Sequence, residues 1–275
     1  MSARLRAIAQ ATEAVVAVGG YRTARGTEVS IGAAVQRAVA GTRIHGPAPV
    51  DPGAARALAA PTAFEVTGED SLQAAGRLVR EAAGPVAVLN FASARNPGGG
   101  YVNGAQAQEE ALCRSSALYT TLLAARDFYT WHRTDGSPFY SDRVIHSPAV
   151  PVFRDPRGEL LEDPFEAGFL TCAAPNAGVI ELRDPPAAVR LPAAIDARAG
   201  RVLEVAAAEG YRALVLGAWG CGVFRNDPAQ VAGAFRGLLG PGGRFAERFE
   251  RVVFAVLDRQ RDAPTRAAFA AAFPG

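Results

Sequence analysis

One stretch of the sequence joins a short apolar run to a glycine-rich loop and then to a group of amide and acidic side chains. The run Val86–Leu89 (VAVL) is typical of a buried strand, and the segment from Gln106 onward is typical of a helix. Between them lies a loop with Asn96 and three consecutive glycines, which let a backbone take a positive φ or approach a ligand closely. The loop glycines and the polar residues at the helix start are Gly98, Gly99 and Gly100, and Gln108, Glu109 and Glu110. Together these features indicate a site for chemistry.

The two adjacent glutamates cannot do the same work, because neighbouring residues on a helix point about 100° apart. The helix dipole favours an ionised carboxylate near the helix start, whereas a general acid must hold a proton near neutral pH. Desolvation or a negatively charged ligand would raise the pKa of such a carboxyl group. The helix alone leaves an alternative open, in which Gln108, Glu109 and Glu110 only stabilise the first turn. The glycine run favours a functional role.

A second glycine-rich segment, Gly217–Pro228 (GAWGCGVFRNDP), also follows an apolar run and opens a predicted helix. Backbone amides in such a turn and at a helix start bind anions. The segment is not a dinucleotide-binding fingerprint, because Arg225 stands where the third glycine belongs, and without lysine the chain has no P-loop. A tight turn with Phe224 in the core is the alternative. The residues expected to line an anion site are Gly220, Cys221, Gly222, Val223 and Phe224.

The pairing of GGG with QEE in NFASARNPGGGYVNGAQAQEE resembles the signature of the bacterial-type poly(ADP-ribose) glycohydrolases, which have a macrodomain fold. The resemblance extends to GAWGCGVFRNDP and covers much of the chain from about Val86 onward. The first sixty or so residues show no such match. The resemblance implies an enzyme that cleaves the ribose–ribose O-glycosidic bonds of poly(ADP-ribose) and releases ADP-ribose, with no metal and no cofactor.

The resemblance also implies roles for single residues. Glu110 would protonate the departing ribose oxygen and then activate a water against an oxocarbenium-like centre. Glu109 would hold hydroxyls of the neighbouring ribose, Gln108 would help to order the loop, and Asn96 would bind the distal ribose. The second glycine loop would hold the diphosphate, with Phe224 against a ribose or the base.

Composition argues against several other classes of protein. The net charge of +2 disfavours broad electrostatic binding of duplex nucleic acid, and no segment reaches the roughly 18 apolar residues of a membrane span. Three cysteines without paired spacing and three scattered histidines, His45, His132 and His146, indicate neither disulfides nor a metal site. The N-terminal residues are too polar for a secretory signal. We expect a cytoplasmic monomer whose partners are poly(ADP-ribose), ADP-ribose and the ADP-ribosylated proteins that carry them.

Strands and helices alternate after about residue 60, which predicts an α/β fold with a sheet covered by helices on both faces. The resemblance adds a mixed sheet in a three-layer α/β/α, macrodomain-like arrangement. We expect one domain over residues 1–275, with residues 1–60 as an N-terminal helical extension packed on it. The segment 46–61 is predicted to be a surface connection, and 128–140 an irregular excursion. The predicted helices are Leu5–Val18, 71–83, 106–125, Leu191–Glu209, 228–239 and Pro264–Phe273. The predicted strands are Val29–Val39, Arg43–His45, Phe64–Val66, Val86–Phe91, Val144–Phe153, Phe169–Ala174, Ala213–Leu216 and Val252–Leu257.

Two other functions would share the predicted pocket. A macrodomain that binds ADP-ribose without cleaving it needs the anion loop but not paired glutamates, so the intact QEE sequence favours an enzyme. A hydrolase that removes single ADP-ribose units from protein side chains would use the same pocket. The sequence leaves that second alternative open.

Overall fold

The structure, a computed structural model, describes residues 2–53, 58 and 60–274. Helices and strands alternate along most of this part of the chain. The helices are α1 (Ala3–Val18), α2 (Gly32–Gly41), α3 (Ser71–Arg80), α4 (Gln108–Ser115), α5 (Leu118–Ala124), α6 (Arg126–Asp135), α7 (Ala177–Arg183), α8 (Leu191–Ala208), α9 (Pro228–Leu239) and α10 (Pro264–Ala272). The strands are β1 (Gly20–Arg22), β2 (Glu28–Ser30), β3 (Arg43–His45), β4 (Ala63–Thr67), β5 (Val86–Phe91), β6 (Val144–Arg154), β7 (Leu160–Cys172), β8 (Ala213–Leu216) and β9 (Arg251–Ala255).

Seven of these strands form one mixed sheet in the order β3-β6-β7-β5-β8-β9-β4. The central strand β5 is parallel to β7 on one side and to β8 on the other, while β6 is antiparallel to both β3 and β7. The predicted mixed sheet is confirmed. Because β5 and β8 are adjacent and parallel, the two glycine-rich loops that follow them leave the sheet at the same edge.

Successive residues of β5 point to opposite faces of the sheet, as the strand geometry requires. Val88 belongs to an apolar cluster with residues of α1 to α6, whereas Leu89 belongs to a second cluster with residues of α8, α9 and α10. Both side chains are almost completely buried. The sheet is therefore covered on both faces, and the three-layer α/β/α prediction is confirmed.

The N-terminal segment contributes to both the core and the sheet. Thr12 of α1 is fully buried; its hydroxyl donates to the carbonyl of Arg114 at 2.8 Å and accepts a hydrogen bond from Nε of Arg154 at 2.9 Å. Farther along, β3 pairs with β6 and forms one edge of the sheet. Residues without any recognisable motif thus complete the structure around the central strands.

The strand predicted over Val29–Val39 is wrong. The strand ends at Ser30, and α2 begins at Gly32. Val35 and Ala38 are the buried residues of this helix, and their separation of three positions is helical spacing rather than the alternation of a strand.

The single helix predicted over 106–125 is interrupted. Between α4 and α5, Ser116 has an extended backbone with φ −147° and ψ 176°, and it forms an isolated bridge with Val152 of β6. Its hydroxyl donates to the carbonyl of Leu112 at 2.8 Å and accepts from the amide of Leu118 at 3.2 Å. A serine that satisfies backbone groups in this way competes with the helix.

The irregular excursion predicted over 128–140 is wrong in its first half. α6 covers that half, buries Phe128, Tyr129 and His132, and ends at Gly136 with φ 69°. The aromatic residues recur on one face of the helix because they pack on the core. The second half, up to Tyr140, contains no helix or strand.

Several remaining features differ less from expectation. β7 begins at Leu160, well before the predicted Phe169. The predicted connection 46–61 falls partly outside the described residues; its described ends, 46–53 and 60–61, contain no helix or strand.

The three cysteines are free, and Cys113 and Cys172 are buried. Within the described part of the chain, no helix has the length and apolar character that crossing a membrane requires.

Replacing Thr12 by valine tests how firmly α1 is joined to the rest of the fold. The change keeps the side-chain shape but leaves the Arg114 carbonyl and Nε of Arg154 without their buried partner. We expect Thr12→Val to lower the free energy of unfolding by about 1–3 kcal/mol, measured by urea denaturation. Thr12→Ser keeps the hydroxyl and should lose less; equal losses in the two variants would show that the hydroxyl does not matter.

Candidate active site

Two adjoining cavities lie where the loops after β5 and β8 leave the sheet. The larger, of about 1120 Å³, extends from the 218–224 loop to the N-terminal turns of α1 and α3 and to the 255–260 segment. The smaller, of about 730 Å³, is lined by residues 91–97 and the glycine loop, and by both glutamates of α4. The residues shared by the two cavities are Phe91, Ala92, Ala107, Val223 and Phe224.

Glu110 is the carboxylate with an oxygen available to a ligand. It is 8% exposed and lines the smaller cavity. Its Oε1 accepts a hydrogen bond from the backbone amide of Gly100 at 2.9 Å. Its Oε2 accepts no hydrogen bond from the described residues. The glycine loop therefore fixes the carboxylate by one oxygen and leaves the other for chemistry.

Glu109 lies in a different environment. It is 3% exposed; its Oε1 accepts from Nδ2 of Asn90 at 3.2 Å, and its Oε2 accepts from the backbone amide of Ser93 at 2.7 Å. Burial raises the pKa of Glu109 to about 8, and the charge of Glu110 acts in the same direction, against these two hydrogen bonds. Near neutral pH this carboxyl group is therefore largely protonated.

Gln108 joins the start of α4 to the central strand. Its Oε1 accepts from the amide of Phe91 at 2.9 Å, and its Nε2 donates to the carbonyl of Leu89 at 2.8 Å and to the hydroxyl of Ser71 at 3.1 Å. The side chain thus satisfies backbone groups at the end of β5. Its amide group therefore holds the start of α4 against the end of β5. The oxygen and the nitrogen of that amide are both engaged in these hydrogen bonds.

The three loop glycines are required by space as well as by backbone geometry. Gly98 and Gly99 have φ values of 64° and 59°. A Cβ atom on Gly99 would lie 2.5 Å from Oε1 of Glu110, and one on Gly100 would lie 2.6 Å from Cβ of Ala105. A side chain at Gly99 would displace the carboxylate that the loop holds.

Asn96 lies at the rim of the smaller cavity. The residue is exposed, its backbone amide donates to the hydroxyl of Ser93 at 3.2 Å, and its carbonyl accepts from the amide of Gly99 at 3.0 Å. The backbone of Asn96 thereby supports the turn that positions the glycines. Its side chain makes no hydrogen bond with the described residues.

The second glycine loop presents free backbone amides. Within the described structure, the amides of Gly222, Val223 and Phe224 donate no hydrogen bond to protein groups. A Cβ atom on Gly222 would meet nothing within 4 Å, and Val223 is 83% exposed. Consecutive amides of this kind form a concave site for an anion. The loop is fixed from below by Asn226, whose Nδ2 donates to the carbonyls of Gly220 and Pro175 at 3.1 and 2.9 Å.

The surroundings of two side chains in this region, Cys221 and Phe224, limit what each can do. Burial raises the pKa of the Cys221 thiol to about 12, so it is protonated and unsuited to nucleophilic attack at neutral pH. Phe224 packs against Tyr140 with ring centroids 5.9 Å apart, and both line the smaller cavity. Phe224 is therefore at the site and outside the deep core.

The sequence reasoning did not identify Asn90, Ser93 or Tyr140 as site residues. Asn90 is completely buried and also donates to the hydroxyl of Thr171 at 3.1 Å. Its position as the first polar residue of an otherwise apolar strand was a usable signal. Ser93 acts through its backbone amide, for which the sequence carries no signal. Tyr140 stands among aromatic residues that could stack on an adenine, but their spacing is more typical of a loop packed on the core.

Comparisons with known proteins identify relatives over most of the chain. The family of microbial-type PARG catalytic domains matches residues 9–155. The crystal structure of poly(ADP-ribose) glycohydrolase (PARG) from Thermomonospora curvata is 48% identical, with a TM-score of 0.93 over 99% of this chain and 100% of that one. Its complex with the inhibitor ADP-HPD is 47% identical, with a TM-score of 0.90 over the same shares.

A PARG from Deinococcus radiodurans, crystallised with ADP-ribose, is 43% identical, with a TM-score of 0.78 over 87% of this chain and 97% of that one. No curated protein sequence matched. The family match begins at residue 9 and so includes most of the N-terminal segment, where the sequence by itself showed no resemblance.

The raised pKa of Glu109 predicts a pH-dependent stability. A carboxyl group whose pKa is higher in the folded state stabilises the fold while protonated, and this contribution is lost as the pH rises from its usual value of 4.5 to about 8. The wild type should lose up to about 1.4 kcal/mol per pH unit across this window relative to Glu109→Gln. Urea denaturation at a series of pH values measures this; parallel curves for the two proteins would contradict it.

Replacing Gly99 by alanine tests the contact between the loop and Glu110. Gly26, on the surface, also has a positive φ, of 86°, but an added Cβ there meets nothing within 4 Å. Gly26→Ala should lose about 1–2 kcal/mol from backbone strain alone. Gly99→Ala should lose about 1–3 kcal/mol more, because the Gly100–Glu110 hydrogen bond breaks. Equal losses in thermal or urea unfolding would count against the contact.

Proposed function

The chain belongs to the family of microbial-type poly(ADP-ribose) glycohydrolases, and we propose that Glu110 is its general acid and base. The protein is a glycosidase that hydrolyses poly(ADP-ribose). The observation that carries the assignment of Glu110 is its geometry: one oxygen bound by the Gly100 amide and the other open to the cavity.

Most glycosidases use two catalytic carboxyl groups, one on each side of the scissile glycosidic bond. Here the glutamates are neighbours, and the oxygens of Glu109 are already occupied by Asn90 and Ser93. A single carboxyl group must then act first as the general acid and afterwards as the general base. Protonated Glu110 gives its proton to the departing ribose oxygen while the anomeric centre becomes oxocarbenium-like. The resulting carboxylate then takes a proton from the water that attacks that centre.

Glu109 is proposed to position the ribose and not to transfer protons to the leaving group. It lines the smaller cavity beside Glu110, and in its protonated form it places no second negative charge next to the catalytic carboxylate. A neutral carboxyl group can also donate to a ribose hydroxyl. Gln108 supports this arrangement by holding the start of α4 on β5.

The diphosphate of ADP-ribose is proposed to bind the amides of Gly222, Val223 and Phe224, together with the Gly220–Cys221 turn that shapes them. Three consecutive unpaired amides beside the larger cavity support this assignment. The ring of Phe224, braced by Tyr140, offers an apolar face to a ribose or a base. Asn96, exposed at the rim of the smaller cavity, is placed to bond distal ribose hydroxyls.

The remaining expectations stay part of the proposal. They are that the protein acts as a monomer and that its substrates include ADP-ribosylated proteins that carry the polymer. A net charge of +2 gives no broad basic surface for duplex nucleic acid. A cytoplasmic location fits such substrates.

Family membership and the site support a poly(ADP-ribose) glycohydrolase over the two other functions that would share the pocket. A module that only binds ADP-ribose has no use for a carboxylate held with one oxygen free, and the family is one of glycohydrolases. Removal of single ADP-ribose units from proteins would need the same acid. We propose cleavage between ribose units as the main activity because the solved relatives are poly(ADP-ribose) glycohydrolases.

Glu110→Gln tests the assignment directly. The amide oxygen can still accept from the Gly100 amide, so the cavity should keep its shape, but the side chain can no longer transfer a proton. Release of ADP-ribose from purified poly(ADP-ribose) should fall by roughly 10²–10⁴-fold. The affinity for ADP-ribose, measured by calorimetry, should change little.

The exposed Glu181, on α7 and outside both cavities, offers a matched control. Glu181→Gln makes the same chemical change and should retain full turnover. A Glu110→Gln protein with undiminished turnover would move the acid to another residue. Wild-type protein that binds ADP-ribose tightly but releases none from the polymer would contradict the activity itself.

A further inference from the structure

A second cluster of chemically active side chains lies at the edge of the sheet, outside both cavities. It consists of His45 of β3, His146 of β6 and Glu209 directly after α8. One imidazole nitrogen of each histidine and one carboxylate oxygen of Glu209 lie within 4.8 Å of one another. Nε2 of His45 is 2.9 Å from Oε1 of Glu209, and Nδ1 of His146 is 3.3 Å from its Oε2. The histidines that are scattered in the sequence are brought together by the pairing of β3 with β6.

The two imidazole nitrogens that face this cluster are not satisfied. Nε2 of His45 and Nδ1 of His146 are buried and make no hydrogen bond with proper geometry to any described group, despite their closeness to Glu209. His146 is 3% exposed, so water does not reach it freely. A buried polar atom without a hydrogen-bond partner destabilises the fold. Two such nitrogen atoms lie beside one carboxylate, and a single bound group between them would satisfy both.

The other ring nitrogen of His146, Nε2, has the kind of hydrogen-bond partner that a metal-binding histidine usually has. Its Nε2 lies 2.7 Å from the hydroxyl of Tyr211, which is itself buried. An imidazole that donates from Nε2 to this hydroxyl directs the lone pair of Nδ1 into the cluster. The ring orientation is further fixed because Tyr211 fits closely over Gly168 of β7.

We propose that His45, His146 and Glu209 bind a zinc ion, with a water molecule as the fourth ligand. Two imidazoles and one carboxylate are a ligand set that zinc accepts at about 2.0–2.2 Å in tetrahedral geometry, whereas Mg²⁺ and Ca²⁺ prefer oxygen ligands throughout. The ion would join the edge strand β3 to β6 and to the end of α8. The role of the ion would be to stabilise the fold, because the cluster lines neither of the two cavities.

Arg43 is the cationic side chain that contacts Glu209 directly and opposes metal binding. Its guanidinium pairs with both oxygens of Glu209, including a contact from Nε to Oε1 at 3.0 Å. In the absence of metal this pair neutralises the carboxylate. Zinc would use one carboxylate oxygen and leave the other to Arg43, so removal of the arginine should maintain or increase the affinity.

The test uses the full chain without an affinity tag, stripped of metal with EDTA and titrated with zinc chloride by calorimetry. We expect one zinc ion per chain and a higher melting temperature in its presence. His45→Gln and Glu209→Gln should each weaken binding by more than about tenfold, and Tyr211→Phe by about 10–100-fold through its effect on His146. His45 is only partly buried, so its variant should fold normally, as circular dichroism would verify.

Two controls separate this site from adventitious binding. Arg43→Gln and Cys221→Ser should leave the stoichiometry at one ion. Cobalt substitution should give the visible absorption of a tetrahedral site without the near-ultraviolet charge-transfer band of a thiolate. No stoichiometric binding by the wild type, binding unchanged in His45→Gln and Glu209→Gln, or a thiolate band would each overturn the proposal.

Discussion

The approach of a glycine-only backbone to a carboxylate is the contact on which the active site depends. The amide of Gly100 binds Oε1 of Glu110, and Gly99 passes so near that a single methyl group would collide with the same oxygen. This contact fixes the Glu110 side chain, which α4 alone would leave free to rotate. The loop and the helix start therefore form one structural unit.

The order of the sheet brings the second half of the site to the first. β8 lies directly beside β5 and parallel to it, so the 217–228 loop emerges next to the first glycine loop despite a long separation in sequence. Buried bonds from Asn226 hold the turn, and the amides that follow are left unpaired. Because Gly222 and Val223 are exposed, these amides remain accessible to an anion. The backbone of the loop thereby presents the site that we propose for the diphosphate.

Burial gives the two adjacent glutamates different properties. Glu109 is surrounded by protein, and this burial raises its pKa to about 8 against the hydrogen bonds from Asn90 and Ser93, whereas Glu110 reaches the cavity. Helix geometry predicts that neighbours face different environments, but it does not say which residue is enclosed. The loop after β5 decides that, because the Ser93 amide and the Gly100 amide each select one carboxylate. The different environments of the two glutamates therefore follow from backbone positions.

The sequence by itself determined the central strand, the glycine loops, the glutamates and the α/β alternation, because each depends on local spacing or on a motif of adjacent residues. It did not determine the break at Ser116, the helix in place of a strand at Val35 or the use of Asn90, and it indicated no grouping of His45 with His146. These depend on contacts between distant segments: a bridge to Val152, packing against α1 and β6, and the pairing of β3 with β6. Local preferences are small beside the burial of a side chain or a backbone group. Tertiary packing therefore decides wherever the two disagree.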